Sequence, residues 1–234
     1  MVAHGPSVAY DSSAAIRLGG MAPAQELFGP GNATALVRPD GRPTPEFRAE
    51  LRKVSNVKNA LSIVLLYAQT IAIIVVAVNL GWWAWPIAFI LMGRAHAQFA
   101  AMMHEAAHRL LFTNKKWNDA VGRWALGYIG LVSTDAYRRV HMAHHRREFG
   151  PEEPALPLYQ GYPVSQESMR RKLIRDATGQ TGFRLLKSQF APGRWKNPRQ
   201  RKVLSSMLAV HSVLFAASIL TGQPLVYPLL WILP

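Results

Sequence analysis

The 234-residue chain contains no cysteine, which excludes disulfides, zinc ribbons and thiolate-bound iron–sulfur clusters and leaves any metal to nitrogen and oxygen donors. Acidic residues are scarce too, with 13 Asp and Glu against 27 Lys and Arg, a net charge of +14. An excess of that size is the electrostatic footprint of a nucleic-acid partner only when a recognition motif accompanies it. No finger, basic zipper or aromatic-basic strand motif is present, so no nucleic acid is expected. The N-terminus lacks a basic-then-apolar secretory leader and is expected to stay in the cytoplasm.

Charge of either sign is also missing from residues 59–80, a run of 22 residues long enough to cross a hydrocarbon core of about 30 Å. Hydrophobic residues make up 50% of the chain, and they are gathered into such runs rather than spread with the periodicity of a soluble core. Residues 1–57 read as a cytoplasmic N-terminal tail, and 58–234 as a membrane domain. After the first spanning helix, Asn79, Gly81, Trp82, Trp83 and Trp85 form an uncharged turn with the aromatic enrichment of a headgroup layer. A second helix over 83–108 would place His104 roughly 31 Å along from Trp83, at the opposite edge of the bilayer.

Residues 117–131 suit a helix lying in the interface, and 165–190 read as two basic surface helices broken at the "TGQTG" run. Residues 203–221 form a third span. The last apolar run begins after Pro224 and ends at Pro234, enough for about 15 Å, so the chain is expected to be incomplete. Nineteen of the 27 Lys and Arg lie between 109 and 202 and none in the turn at 79–82, which puts the N-terminus and the segment from 109 on the same, cytoplasmic side. The fold class expected is therefore all-α: an integral, multi-pass membrane helical bundle with interfacial amphipathic helices and a metal site on its cytoplasmic edge.

That metal site rests on two histidine clusters. HEAAH places His104 and His108 four residues apart, on one helical face about one turn from each other. HMAHH gives His141, His144 and His145, which fall within an arc of about 100° if the segment is helical. Five imidazoles suit iron or zinc. One zinc needs three or four ligands, so the surplus favours two metals, and a di-iron centre at a membrane edge has the oxygen chemistry that attacks an unactivated C–H bond. Glu105, Asp119 and Asp135 are candidate carboxylates for orienting the imidazoles, with Asp119 equally suited to capping a helix.

Elsewhere, His96 reads either as a lining residue of a substrate or proton path or as an interhelical hydrogen bond, and Arg94 as a bundle pair or a snorkelling side chain. His211 reads as a packed, hydrogen-bonded residue.

The pattern HEAAH, then HMAHH after an amphipathic interval between apolar helices, resembles the membrane-bound fatty acid desaturase superfamily, which includes related hydroxylases and carotenoid ketolases. "MMHEAAHRLLFTNKKWNDAVGRW", "AYRRVHMAHHRREFGPEEP" and "RRKLIRDATGQTG" look like its bacterial branch, so the likeness covers about 58–234. It implies a bacterial inner-membrane oxidoreductase with two non-haem iron ions held by His104, His108, His141, His144 and His145. It further implies O2 as co-substrate, a lipid or acyl-chain substrate, and an external electron donor such as a ferredoxin. Members also carry a third histidine box, HxxHH, after the fourth transmembrane helix, which this sequence does not contain. Two other readings fit parts of the pattern. HEAAH satisfies the HExxH zinc-protease motif, with Glu105 as the general base, but leaves the HMAHH histidines without a role. A non-catalytic membrane fragment would keep the apolar runs and lose the metal.

Overall fold

The computed structural model describes residues 34–38, 42–147, 152–159 and 162–234. Most of the expected N-terminal tail lies outside them. The described residues form helices and turns with no strand, only an isolated bridge between Val37 and Pro43. In chain order the helices are α1 (Pro45–Leu51), α2 (Asn56–Leu80), α3 (Trp85–His108), α4 (Lys115–Val121), α5 (Thr134–Arg147), α6 (Leu156–Tyr159), α7 (Gln166–Ala177), α8 (Gln180–Gln189), α9 (Pro192–Lys196) and α10 (Pro198–Leu220). A wide turn over Gly122–Gly127 and a tight one over Tyr128–Gly130 connect α4 to α5, and a second wide turn, Tyr227–Ile232, follows α10.

The chain divides into two compact units, one of residues 54–138 with 175–234 and one of residues up to 53 with 139–174. In the larger unit α2 begins at a Ser55 side-chain cap and ends at Gly81, whose φ of 91° suits a residue without a Cβ. The short connection lets α3 fold back onto α2. The buried face of α3 includes Ala88, Met92, Ala95, Phe99, Met103 and Ala106, spaced by three or four residues, the period of one helical face. Phe99 stands edge-on to Tyr67 of α2 at 5.2 Å and to Trp231 of the terminal turn at 6.2 Å. Two hydrogen bonds between segments remote in sequence close this core, Tyr67 Oη to the Ala125 carbonyl at 2.6 Å and Trp231 Nε1 to the Ile129 carbonyl at 3.2 Å.

Two helical stretches are long and apolar enough to cross a membrane, the one ending at Leu80 and α10. Only 17% and 22% of their most apolar windows are buried. Val64, Leu65, Ile71, Val75 and Val76 of α2 and Val213, Phe215 and Ile219 of α10 all point outward. A soluble core helix buries such residues, whereas hydrocarbon accepts them. The second expected span forms as α3 but is less apolar, because Arg94, His96, Gln98, His104 and Glu105 interrupt it. Arg94 donates to Gln69 Oε1 at 3.3 Å, and Gln69 donates to Gln98 at 2.7 Å, so the polar side chains of α2 and α3 satisfy one another.

The stretch over 117–131 differs from the expected interfacial helix. Trp117 and Trp124 are exposed, but Leu126, Tyr128 and Ile129 are buried in the core. Glycine makes this possible: a Cβ on Gly122 would lie 2.7 Å from the Ala106 Cβ, so only hydrogen lets the turn sit against α3. The break expected at "TGQTG" is present, with α7 ending at Ala177 and α8 starting at Gln180 after Gly179 at φ 72°. Leu173, Ile174, Phe183 and Leu185 on these two helices are exposed.

Candidate metal centre

HEAAH forms the last turn of α3. His104 and His108 are half-buried, their rings 4.7 Å apart and their Nε2 atoms 3.1 Å apart. The second nitrogen of His104 is engaged, Nδ1 lying 2.9 Å from the Tyr137 hydroxyl at the start of α5. Burial pushes the Tyr137 phenol up, so it stays protonated at neutral pH. With the proton on Nδ1 donated to the Tyr137 oxygen, the Nε2 lone pair of His104 is the one presented beside His108.

The helix stops immediately afterwards, because Arg109 adopts the left-handed conformation (φ 60°, ψ 37°) and its N–H returns to the Glu105 and Ala106 carbonyls. Two side chains remote in sequence hold that end. Asn118, fully buried, donates to the Ala106 carbonyl at 2.8 Å and accepts from the N–H groups of Leu111 and Phe112. Arg138 of α5 donates from Nε to the Ala107 carbonyl and from Nη2 to the Ala106 carbonyl, both at 2.8 Å, placing a cation at the negative end of the helix. The same Nη2 lies 2.6 Å from Asp119. Burial pushes the Asp119 carboxyl up. Hydrogen bonds from Arg138 and Asn118 and the charges of Arg138 and Arg109 outweigh it and hold the carboxyl below its usual range.

HMAHH is helical and occupies the end of α5. His141 and His145 face each other with Nε2 atoms 3.0 Å apart, and the His144 ring lies 5.9 Å from that of His141. His144 Nδ1 donates to Glu153 Oε1. Glu153 is 3% exposed, whereas its neighbour Glu152 is exposed and pairs with Arg147 at 3.1 Å. A buried carboxylate on the Nδ1 of an imidazole fixes the tautomer and raises the basicity of Nε2.

The carboxylates singled out by sequence lie elsewhere. Glu105 is exposed. Asp135 makes a two-pronged ion pair with Arg123, at 2.7 and 3.1 Å, and a weaker one with Arg138. Sequence reasoning passed over Tyr137, Arg138 and Glu153. For Glu153 the only available signal was an acidic pair inside the Pro- and Gly-rich segment after HMAHH. His211, as expected, is a packed residue: Nε2 donates to the Tyr128 carbonyl and Nδ1 meets the Tyr227 hydroxyl, each at 3.0 Å.

In each cluster two Nε2 atoms converge to about the separation of neighbouring ligands on one ion, and imidazoles of both clusters have their Nδ1 held by an oxygen of the protein. That donor set fits a nitrogen-loving first-row metal.

Comparison with known proteins gives a concordant result. The sequence model of the family described as fatty acid desaturase matches residues 80–234, more than half of the chain. A curated relative, the dihydrorhizobitoxine desaturase of Bradyrhizobium elkanii, is 32% identical over 105 residues, which is 45% of this chain and 30% of that protein's length. No solved structure matches.

Proposed function

The chain belongs to the fatty acid desaturase family, and from that premise we propose that it is an O2-dependent di-iron oxidoreductase of a lipid or acyl chain. His104, His108, His141, His144 and His145 would hold the metal. Iron bound there supplies the oxygen activation that oxidation of an unactivated C–H bond requires.

The chain's own residues set the conditions for that chemistry. The paired Nε2 atoms in both clusters are the observation that carries the reading. Glu153 fixes the tautomer of His144 through Nδ1, and Tyr137 holds the ring of His104 at the same atom. Arg138, on the helix that bears Tyr137 one turn before His141, ties that helix to the two carbonyls between His104 and His108.

The exposed apolar faces of α2 and α10 support a multi-pass membrane protein, and the Lys and Arg between 109 and 202 support a bacterial inner membrane with the histidines and N-terminus on its cytoplasmic side. A substrate chain would enter sideways from the bilayer. The basic surface from 109 to 202 suits anionic lipid and an acidic electron donor such as a ferredoxin.

Metal analysis of the full chain, purified in detergent and loaded anaerobically with ferrous ion, tests the reading. Iron should approach two per chain and fall sharply in His104→Ala and in His144→Ala. One zinc per chain with no iron uptake, or iron uptake unchanged in both variants, overturns it.

A further inference from the structure

The larger unit contains a cavity of about 210 Å³ that the histidine clusters do not account for. Its walls are apolar: Phe99, Met103, Leu126, Ile129 and Trp231 contribute side chains, and Met103 brings it to the residue next to His104. Two imidazoles interrupt this surface, His96 and His211. They are not equivalent. His211 has both ring nitrogens occupied, by the Tyr128 carbonyl and the Tyr227 hydroxyl, so its hydrogen-bonding capacity is spent inside the protein. His96 is half-buried, and its one ring contact is edge-on to Trp231 at 5.3 Å, a packing contact that uses neither nitrogen in a hydrogen bond with the described residues.

A neutral imidazole carries one donor and one acceptor, and because no buried side-chain nitrogen among the described residues lacks a partner, the ring nitrogens of His96 are accessible and open to a ligand. An aliphatic residue at position 96 would complete the apolar lining but offer a ligand no polar partner. His96 sits eight residues before His104, about 12 Å along α3, so a chain reaching from the histidine cluster into the cavity passes it well away from the reacting end.

We propose that this cavity binds an apolar chain carrying one hydrogen-bonding oxygen, a hydroxyl or carbonyl, and that His96 is the residue that recognises that oxygen. The inference rests on the proposed function for the identity of the reacting end, and it narrows the substrate class. The apolar walls take the hydrocarbon, and His96 selects against a chain that is hydrocarbon along that whole length.

The test uses the full chain in nanodiscs and a brominated alkane, which quenches tryptophan fluorescence on contact. Trp231→Phe identifies the part of the quenching that arises in the cavity. Dodecane and dodecan-2-one are then compared as displacing ligands in the wild type, His96→Leu and His96→Gln. Reading each ligand across variants cancels its partition into lipid.

The ketone should bind roughly fivefold more tightly to the wild type than to His96→Leu, the size of one neutral hydrogen bond. Alkane binding should be the same in the two, and His96→Gln, which keeps a donor, should retain part of the ketone gain. Ketone binding unchanged in His96→Leu, an alkane loss in His96→Leu as large as the ketone's, or quenching unchanged by Trp231→Phe each overturns the proposal. Iron uptake measured on the same samples reports the metal centre separately. Iron retained with no ketone selectivity sinks this inference alone, whereas lost iron with selectivity intact sinks only the di-iron reading.

Discussion

Replacing Arg138 by Ala removes three hydrogen bonds and the weaker ion pair with Asp135, and the structure says which groups are left exposed to the loss. Arg138 and Asp119 are both largely buried, their side chains 17% and 15% exposed. The Ala106 carbonyl would keep Asn118 as a donor, and Asp119 would keep Asn118 at 3.2 Å and the outlying Arg109 at 3.4 Å. The Ala107 carbonyl would lose the only side-chain donor it has among the described residues. Charge-assisted hydrogen bonds contribute about 1.5–3 kcal/mol each, and stranding one partner of a buried pair costs about 3–5 kcal/mol. The surviving partners offset part of this, so Arg138→Ala should destabilise by about 2–4 kcal/mol at neutral pH.

Arg138→Lys should recover less than half of that loss, since a single ammonium cannot reach both carbonyls and Asp119. Because the folded-state Asp119 carboxyl is held below its unfolded value, its contribution is fully present above the unfolded carboxylate pKa of about 3.9 and lost as pH falls through the folded value. The Arg138→Ala penalty should therefore shrink on acidification below about pH 4. Unfolding by SDS titration in mixed micelles, followed by far-UV circular dichroism, reads the stability change. A double-mutant cycle with Asp119→Asn isolates the pair. A loss under about 0.5 kcal/mol at pH 7, or strict additivity in the cycle, would refute the account of how the end of α3 is held.

Three other predictions follow from single contacts. Glu153→Gln keeps the shape of the partner of His144 but not its charge, so iron affinity should weaken roughly 10–100-fold, measured by competition with a chelator. An unchanged affinity would show that the carboxylate serves only to fill the interior. Gly122→Val brings a side chain within 2.7 Å of the Ala106 Cβ and should cost about 1–3 kcal/mol of stability, with the packing of the HEAAH helix disturbed; wild-type melting would contradict the close approach. His211→Ala leaves the Tyr128 carbonyl and the Tyr227 hydroxyl without their shared partner, and should lower stability by about 1–3 kcal/mol while the iron content stays at the wild-type level.

Much of the candidate site was readable in the sequence because its information is local. Four-residue spacing in a helix fixes which side chains share a face, and both histidine pairs meet through Nε2 as that spacing requires. Long uncharged runs likewise marked α2 and α10, whose outward apolar side chains follow from composition alone. The helix break at "TGQTG" was legible for the same reason, since a glycine with positive φ is a property of its own backbone.

What tertiary structure decided is the identity of the partners. Nothing in the spacing of HEAAH says that its last carbonyls would be held by Asn118 and Arg138, or that Tyr137 would orient His104. Residues 117–131 looked amphipathic enough for a membrane surface, but Gly122 admits that segment to the core, and its effect depends on Ala106 and Thr134, which lie 12 or more residues away from it in sequence. Glu153 and Glu152 are indistinguishable in the sequence, yet only Glu153 is buried against an imidazole. Helical periodicity is written into neighbouring residues, whereas the pairing of a buried donor with its acceptor is settled only when distant segments pack and exclude water.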